Sequence, residues 1–416
     1  MTGKTPQNIV IFNVFGHLNM GDAMLVESLV DIIRERYPQA QLSGLAFDVE
    51  SQRLWMPDIA WTERVATKVG GRGLPAKARQ AFTLFVALAI ASNKNLFFLR
   101  YLLPSRQREG LEALARADIA FSCPGGYLED SNRAYLLNML QVMLAARLSK
   151  KVIFAPQSVG PVRSSFGRRV IASVLKHIDK VFVREQSSMA FVTELHGSKP
   201  RNVEESGDLA FWYHRAPEGI DEEWIKIGVD PSKPILGMTI LYWNFPHASD
   251  PESAEQAYLS SLSSLADKAI SDGYQVVIFN QVASDLPTIG KFEAINDRAI
   301  IDRGERSCGK LAAMIAQCEI FIGSRFHSCI FGLIGGVPTG AIAYLPKTSG
   351  IMKDLGLSRY VTAIDDLTPE RVFSLYDTLR KNPQGIAKQI RTAVAHYREE
   401  NNAFVAYLAN DGTPAS

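Results

Sequence analysis

The chain has 416 residues, 47% hydrophobic and 21% charged, with a net charge of +2. That length carries two domains with full cores, and the near-neutral balance excludes the broad basic field of a nucleic-acid-binding surface, so any anion site must be built locally. The four cysteines, Cys123, Cys308, Cys318 and Cys329, form no CxxC pair and the seven histidines no HxxxH pair. This predicts buried thiols in a reducing compartment, no metal site and no cofactor.

The first residues run directly into an apolar strand, Ile9–Val14, without a signal-peptide pattern, and a cytoplasmic chain is expected. Gly16-His17-Leu18-Asn19-Met20-Gly21-Asp22 follows and opens a helix, Asp22–Arg36, in which Leu25, Leu29, Ile32 and Ile33 recur at helical period. Glycines let backbone approach a ligand, and a helix start offers N–H groups to an anion. The spacing is neither GxGxxG nor a P-loop. Asp22 either caps the helix or, since a carboxylate there would repel phosphate, accepts from a sugar hydroxyl or acts as its base. Asn19 either holds a hydroxyl or steadies the loop.

After a strand at Gln41–Phe47, the most apolar stretch of the chain, Ala81–Leu103, is broken at Ser92–Asn95 and at Arg100. A spanning helix needs about 20 nearly uncharged residues. Two buried or amphipathic helices are predicted instead, a pattern that allows peripheral membrane contact. The strand Asp118–Ser122 ends in Cys123-Pro124-Gly125-Gly126-Tyr127, where Gly125 and Gly126 expose backbone N–H groups. A helix at Arg133–Ser149 precedes the strand Val152–Ala155, which ends in Pro156-Gln157-Ser158-Val159-Gly160-Pro161. Lys180–Val183 is a strand, and Arg184 follows it, either paired locally with Glu185 or set as a guanidinium on a multiply charged ligand. A strand at Asn202–Glu205 closes the first half. Residues 213–234 are charged and punctuated by Pro and Gly, and read as a linker.

The second half repeats the alternation, with strands Ile235–Leu241, Gln275–Asn280, Ile320–Ile322 and Gly340–Tyr344. Helices are expected near Ala254–Ser271, Gly309–Gln317 and Thr348–Leu355, then at Pro369–Arg380 and Gly385–Leu408. Tyr242-Trp243-Asn244-Phe245 ends the first of these strands, either a platform for a sugar ring or core. Tyr344 and Lys347 follow the last. Gly323-Ser324-Arg325-Phe326-His327-Ser328 follows Ile320–Ile322. In an extended segment Arg325 and His327 share a face, so they reach one ligand if the helix begins after them; inside a helix they diverge. A guanidinium beside a titratable imidazole suits a phosphate or carboxylate ligand that also needs a proton moved.

Strands alternating with helices give an α/β chain of two doubly wound, Rossmann-like domains facing a central cleft. The expected limits are 1–212 and 235–366, joined by 213–234, with helices 367–416 packing back across both.

Taken in order, Gly16–Asp22, Gly125-Gly126, Gln157–Pro161, Val183-Arg184-Glu185 with Ser188, Asp208-Leu209-Ala210-Phe211, Ser324–Ser328, and Tyr344 with Lys347 resemble the polysaccharide pyruvyl transferase family. The resemblance covers about Val14 to Leu357. It implies the two-domain GT-B frame and transfer of the pyruvyl unit of phosphoenolpyruvate to two hydroxyls of a sugar, giving a cyclic ketal and phosphate. Arg325 and His327 match the family's Arg-x-His pair at the donor, and Arg184 a further donor arginine. An arginine that many members carry after the first strand of the second domain is replaced here by Leu241-Tyr242-Trp243-Asn244. The expected site then divides into three. His327 and Asp22 move protons. Arg325, Arg184, Gly125, Gly126, Ser324 and Lys347 hold the donor. Asn19, Trp243, Asn244 and Tyr344 meet a glycan acceptor, free or lipid-linked at the inner face of a membrane. The rivals are a nucleotide-sugar glycosyltransferase on a similar frame and a non-catalytic protein that binds anionic sugars.

Overall fold

The computed structural model describes residues 5–66, 74–130, 134–304 and 306–410. It divides into two compact units. The first comprises Met1–His17, Leu25–Leu209 and Asn401–Ser416, the second Leu18–Met24 and Ala210–Glu400.

Among the described residues the first unit carries strands β1 (Asn8–Val14), β2 (Gln41–Ala46), β3 (Ala60–Glu63), β4 (Ile119–Ser122), β5 (Gly125–Leu128), β6 (Val152–Val159), β7 (Lys180–Val183) and β8 (Val203–Glu205). They pair in the order β3-β2-β1-β4-β6-β7-β8, with β5 on β6, and every pairing is parallel. Strands of a parallel sheet are covered on both faces and become continuous apolar runs. Hence Ile9 to Phe12 and Ala120 to Phe121 are buried along their whole length.

The second unit carries β9 (Ile235–Thr239), β10 (Gln275–Phe279), β11 (Ile300–Asp302), β12 (Ile320–Gly323), β13 (Thr339–Ala343) and β14 (Val361–Ala363). Their order is β11-β10-β9-β12-β13-β14, again wholly parallel. Each sheet grows outward in both directions from its first strand. The reversal lies between β1 and β4 in one sheet and between β9 and β12 in the other. Ligands of open α/β sheets collect at the carboxyl ends of the strands on either side of such a reversal.

Three expectations are corrected here. Residues 213–234 are more than a linker, because they contain the helix Ile220–Lys226. Its acidic first turn masks Trp224, which is wholly buried and donates its indole N–H to Gln317 Oε1 at 2.6 Å. The terminal helix expected over Gly385–Leu408 is two, Pro383–Glu400 and Ala403–Ala409. The break falls at Asn401, whose carbonyl accepts from Gly207 N–H (2.8 Å) and Ser206 Oγ (3.0 Å). Residues up to Glu400 belong to the second unit and those from Asn401 to the first. The apolar stretch starts earlier than expected, as an α-helix at Leu74–Ser92 followed by a 3-10 helix at Lys94–Leu102, and the interruption at Asn93 is where the two part. The helix expected at Arg133–Ser149 is described from Ala134 to Leu148; Arg133 lies outside the described residues. All four cysteines are free and buried, and burial pushes the Cys329 thiol up to about 12.

Candidate functional site

In the second unit β12 delivers Ser324 and Arg325 to the reversal point. Arg325 is the last extended residue (φ −99°, ψ 135°), and the helix Phe326–Ile334 begins immediately after it. The helix therefore starts between Arg325 and His327, not beyond both as shared-face geometry required. His327 stands in the first helical turn.

Arg325 does not present an open fork. Its Nε donates to Asp285 Oδ2 at 2.7 Å and its Nη2 to Oδ1 of the same carboxylate. Asp285 is almost wholly buried, the Arg325 side chain 19% exposed. Paired geometry of this kind is the strongest an arginine makes, and it fixes the plane of the guanidinium. It also offsets the guanidinium charge locally and keeps the Nε–Nη2 edge turned to the carboxylate. Asp285 in turn accepts from Tyr242 N–H at 2.9 Å, tying the segment after β9 to the arginine. The sequence reading missed Asp285. Its only signal was position, a carboxylate shortly beyond the end of β10, ahead of Leu286-Pro287.

Ser324 is corrected from donor contact to support. It is wholly buried; its hydroxyl accepts from Tyr258 at 2.8 Å and its N–H donates to Thr239 Oγ1 at 3.1 Å. Burial pushes the Tyr258 hydroxyl up to about 12, so it stays a donor. Thr239 and Ser328 hydroxyls lie 2.9 Å apart, and Ser328 Oγ donates to the Arg325 carbonyl at 2.7 Å. This chain of hydroxyls locks the turn that carries Arg325.

His327 packs against the glycine turn of residues 18–24. A Cβ placed on Gly21 would lie 2.2 Å from His327 Nδ1 and 2.5 Å from its Cγ. No other residue type fits without moving the ring. The turn is fastened by Met20 N–H to the Gln281 carbonyl (3.3 Å) and by a bridge between Asn19 and Val282. Asn19 Oδ1 accepts from Gly21 N–H at 3.0 Å, so Asn19 caps the helix Met20–Arg36, the role considered for Asp22. Asp22 stands half-buried in the first turn.

The strand end after β13 completes this group. Tyr344 and Trp243 meet edge to face, with ring centroids 5.0 Å apart. Burial raises the Tyr344 hydroxyl above its ordinary range, and the neighbouring Arg325 charge opposes the shift. Lys347 Nζ lies 5.2 Å from the Phe326 ring centroid, and Asn244 is exposed.

In the first unit, Arg184 and the glycine pair come together. Arg184 Nε donates to Ser158 Oγ at 2.9 Å and Nη1 to Asp208 Oδ2 at 2.8 Å, with both side chains of the ion pair buried. The expected partner Glu185 instead accepts from Ser188 Oγ at 3.0 Å. A Cβ on Gly126 would stand 3.1 Å from Arg184 Nη2, so glycine lets the guanidinium lie against the backbone. Gly125 has φ +144°, a conformation that side chains rarely adopt, and is buried in β5 against Gln157. The Gln157 side chain is wholly buried.

The sequence matches the pattern of the polysaccharide pyruvyl transferase family over residues 19–346. The chain belongs to that family. It is a transferase of polysaccharide biosynthesis, and the match takes in the Gly21 turn, Arg184 and the Arg325–His327 strand end. Among its relatives the amylovoran biosynthesis protein AmsJ of Erwinia amylovora is 22% identical over 404 residues, covering 93% of this chain and 95% of that protein. Among solved structures, HepE of Anabaena, seen with UDP and glucose, superposes with a TM-score of 0.57 at 11% identity, covering 97% of this chain and 98% of that one. The ADP-heptose heptosyltransferase II of E. coli gives 0.50 at 16%, covering 90% and 98%. The last two share the GT-B type of fold with this pyruvyl transferase family member, and at that identity the fold alone.

Proposed function

We propose that the protein moves the pyruvyl group of phosphoenolpyruvate onto two hydroxyls of one sugar, in a polysaccharide or a lipid-linked glycan precursor, forming a cyclic ketal and releasing phosphate. The observation that carries the reading is Arg325 and His327 on either side of a helix start, at the reversal point of the second sheet. The donor has a phosphate and a carboxylate. The Nη1 edge of Arg325, the first-turn N–H groups of Phe326–Ile334 and the Lys347 ammonium are matched to such an anion.

The acceptor gives up two hydroxyl protons in the reaction. One ends on the methylene carbon, which becomes a methyl group, and one leaves with phosphate. The first hydroxyl oxygen attacks the carbon that bears phosphate, the C–O bond to phosphate breaks, and the second oxygen closes the ring. An imidazole can both give and take a proton, and His327 serves as the group that passes these protons; Asp22 is the second base, for a hydroxyl. Arg325 stabilises charge gathering on the leaving phosphate. Trp243 and Tyr344 offer aromatic surface to the sugar, with side-chain amides from Asn244, next to Trp243, and from Asn19 in the Gly21 turn. Arg184, Gly125 and Gly126 enter on the family resemblance, and their variants are read in the same assay.

The test incubates the protein with phosphoenolpyruvate and a panel of glycans, scoring acceptor-dependent phosphate release and a mass gain of one pyruvate ketal. Release of a nucleoside diphosphate from a nucleotide sugar would assign a glycosyltransferase instead. Saturable glycan binding with no turnover of any donor would assign a binding protein.

A further inference from the structure

The helix Leu74–Ser92 is long and apolar enough to cross a membrane, yet one side of it is part of the first unit's core: Ala76, Thr83, Val86, Ala87, Ile90 and Ala91 are buried. The 3-10 helix Lys94–Leu102 packs against it and turns Phe97 and Leu99 toward the same core. The opposite side is bare. Phe82, Phe85 and Leu88 on the helix and Phe98, Tyr101 and Leu102 on the 3-10 helix are exposed, from 46% at Leu88 to 68% at Phe85. Exposed large apolar side chains ordinarily occur singly, whereas six on two adjoining elements form a face.

The charge carried by these two elements is of one sign, and Glu109 and Glu112 follow only on the next helix. Residues 74–108 contain Lys77, Arg79, Lys94, Arg100, Arg106 and Arg108 and no Asp or Glu, in a chain whose net charge is only +2. Arg100 lies over the Tyr101 ring (4.2 Å) and Arg108 near it (5.8 Å), so cations and aromatics interleave. Acidic groups from neighbouring elements meet two of these cations among the described residues. Glu112 meets Arg100, and Glu50 and Glu63 meet Arg106. Lys77 and Lys94 are exposed on the two elements that carry the apolar side chains.

We infer that this face docks the protein on an anionic phospholipid bilayer, with both helices lying flat in the headgroup layer. Aromatic and aliphatic side chains enter the acyl boundary while the surrounding lysines and arginines meet lipid phosphates. Spanning is ruled out by the buried side of Leu74–Ser92, which would have to leave the core. A second copy of the chain is a poor occupant, because a twofold interface sets the same patch against itself and brings these cations together.

The test is co-sedimentation of the full-length protein with vesicles of phosphatidylglycerol and phosphatidylethanolamine, against vesicles of phosphatidylcholine, and needs no substrate. Binding is expected on the anionic vesicles, at least tenfold tighter than on the neutral ones, and weakening as salt is raised. Phe85→Ser with Phe98→Ser should weaken it at least tenfold, with an unchanged melting temperature because both side chains are exposed. Lys77→Glu with Lys94→Glu should remove the preference for anionic lipid. No sedimentation with either vesicle, equal binding to both, or binding unaffected by the double Phe variant would overturn the inference. So would a wild-type dimer that Phe85→Ser converts to monomer without any vesicle binding. Pyruvyl transfer can fail in its own assay without changing any of these outcomes.

Discussion

Gly21→Ala is the sharpest test of the His327 assignment, because it adds one methyl group and no charge. The new Cβ would sit 2.2 Å from Nδ1, 2.5 Å from Cγ and 2.8 Å from Cβ of His327. Against an ordinary heavy-atom separation of about 3.5 Å, the ring must retreat by about 1 Å, and its own Cβ blocks a simple rotation. The backbone itself tolerates the change. Alanine is the better helix former by about 1 kcal/mol in a helix interior, less in a first turn. Overpacking costs about 1–3 kcal/mol, a loss that the melt reads separately from the rate. A displacement of about 1 Å in a proton-transferring group costs about 10²-fold in rate. The assay is acceptor-dependent phosphate release from phosphoenolpyruvate, run beside a thermal melt. A rate near 1% of wild type with a melt moved by a few degrees at most is expected. Turnover within twofold of wild type would refute the reasoning, since either the close approach or the role of the imidazole would then be wrong.

His327→Ala should lower turnover by about 10²-fold or more, and a value near wild type removes it as the proton carrier. Arg325→Lys keeps the charge but loses the planar fork that Asp285 grips; donor affinity should fall, and unchanged affinity by titration calorimetry would argue against contact. Asp285→Asn leaves the Arg325 charge unmatched beside a buried amide. Breaking a buried pair costs about 3–5 kcal/mol, and solvent reaching Arg325 reduces this to about 2 kcal/mol, visible as a lower unfolding midpoint. Glu223 is held down to about 2 by its hydrogen bond to Lys310, with Lys226 and Arg306 adding to it. A depressed carboxylate stabilises the fold above its unfolded value near 4.5 and loses that contribution as pH falls toward 2. The acid limb of the stability profile between those values should flatten in Glu223→Gln; an unchanged limb would show that the ion pairs do not hold in solution.

The long buried strands were legible because burial on both faces turns them into apolar runs, as in Ile9 to Phe12 and Ile320 to Ile322. The strands not foreseen are short or lie at sheet edges. Ala60–Glu63 carries two polar residues in four, Ile300–Asp302 and Val361–Ala363 have three residues each, and Gly125–Leu128 reads as a turn. The positions of Arg184 and Arg325 at strand ends were legible from order alone. Their partners were not, since Asp285 lies 40 residues from Arg325 and Asp208 lies 24 from Arg184. Local spacing favoured Glu185, which the extended backbone at that residue turns elsewhere. The apolar character of residues 81–103 was plain, but which side would be left bare depended on the helix at Ala134–Leu148 that covers the other.

The assignment of Leu18–Met24 to the second unit has a practical outcome for dissection by truncation. A fragment beginning at Ala210 keeps every strand of its sheet but loses the glycine that His327 leans on and the backbone tie to Gln281. One ending at Leu209 lacks Phe404, whose ring fits edge-on against Phe121 and Phe182. Neither half of the gene encodes a finished body, so activity rebuilt from two separately expressed pieces would require each piece to lend the other a stretch of chain.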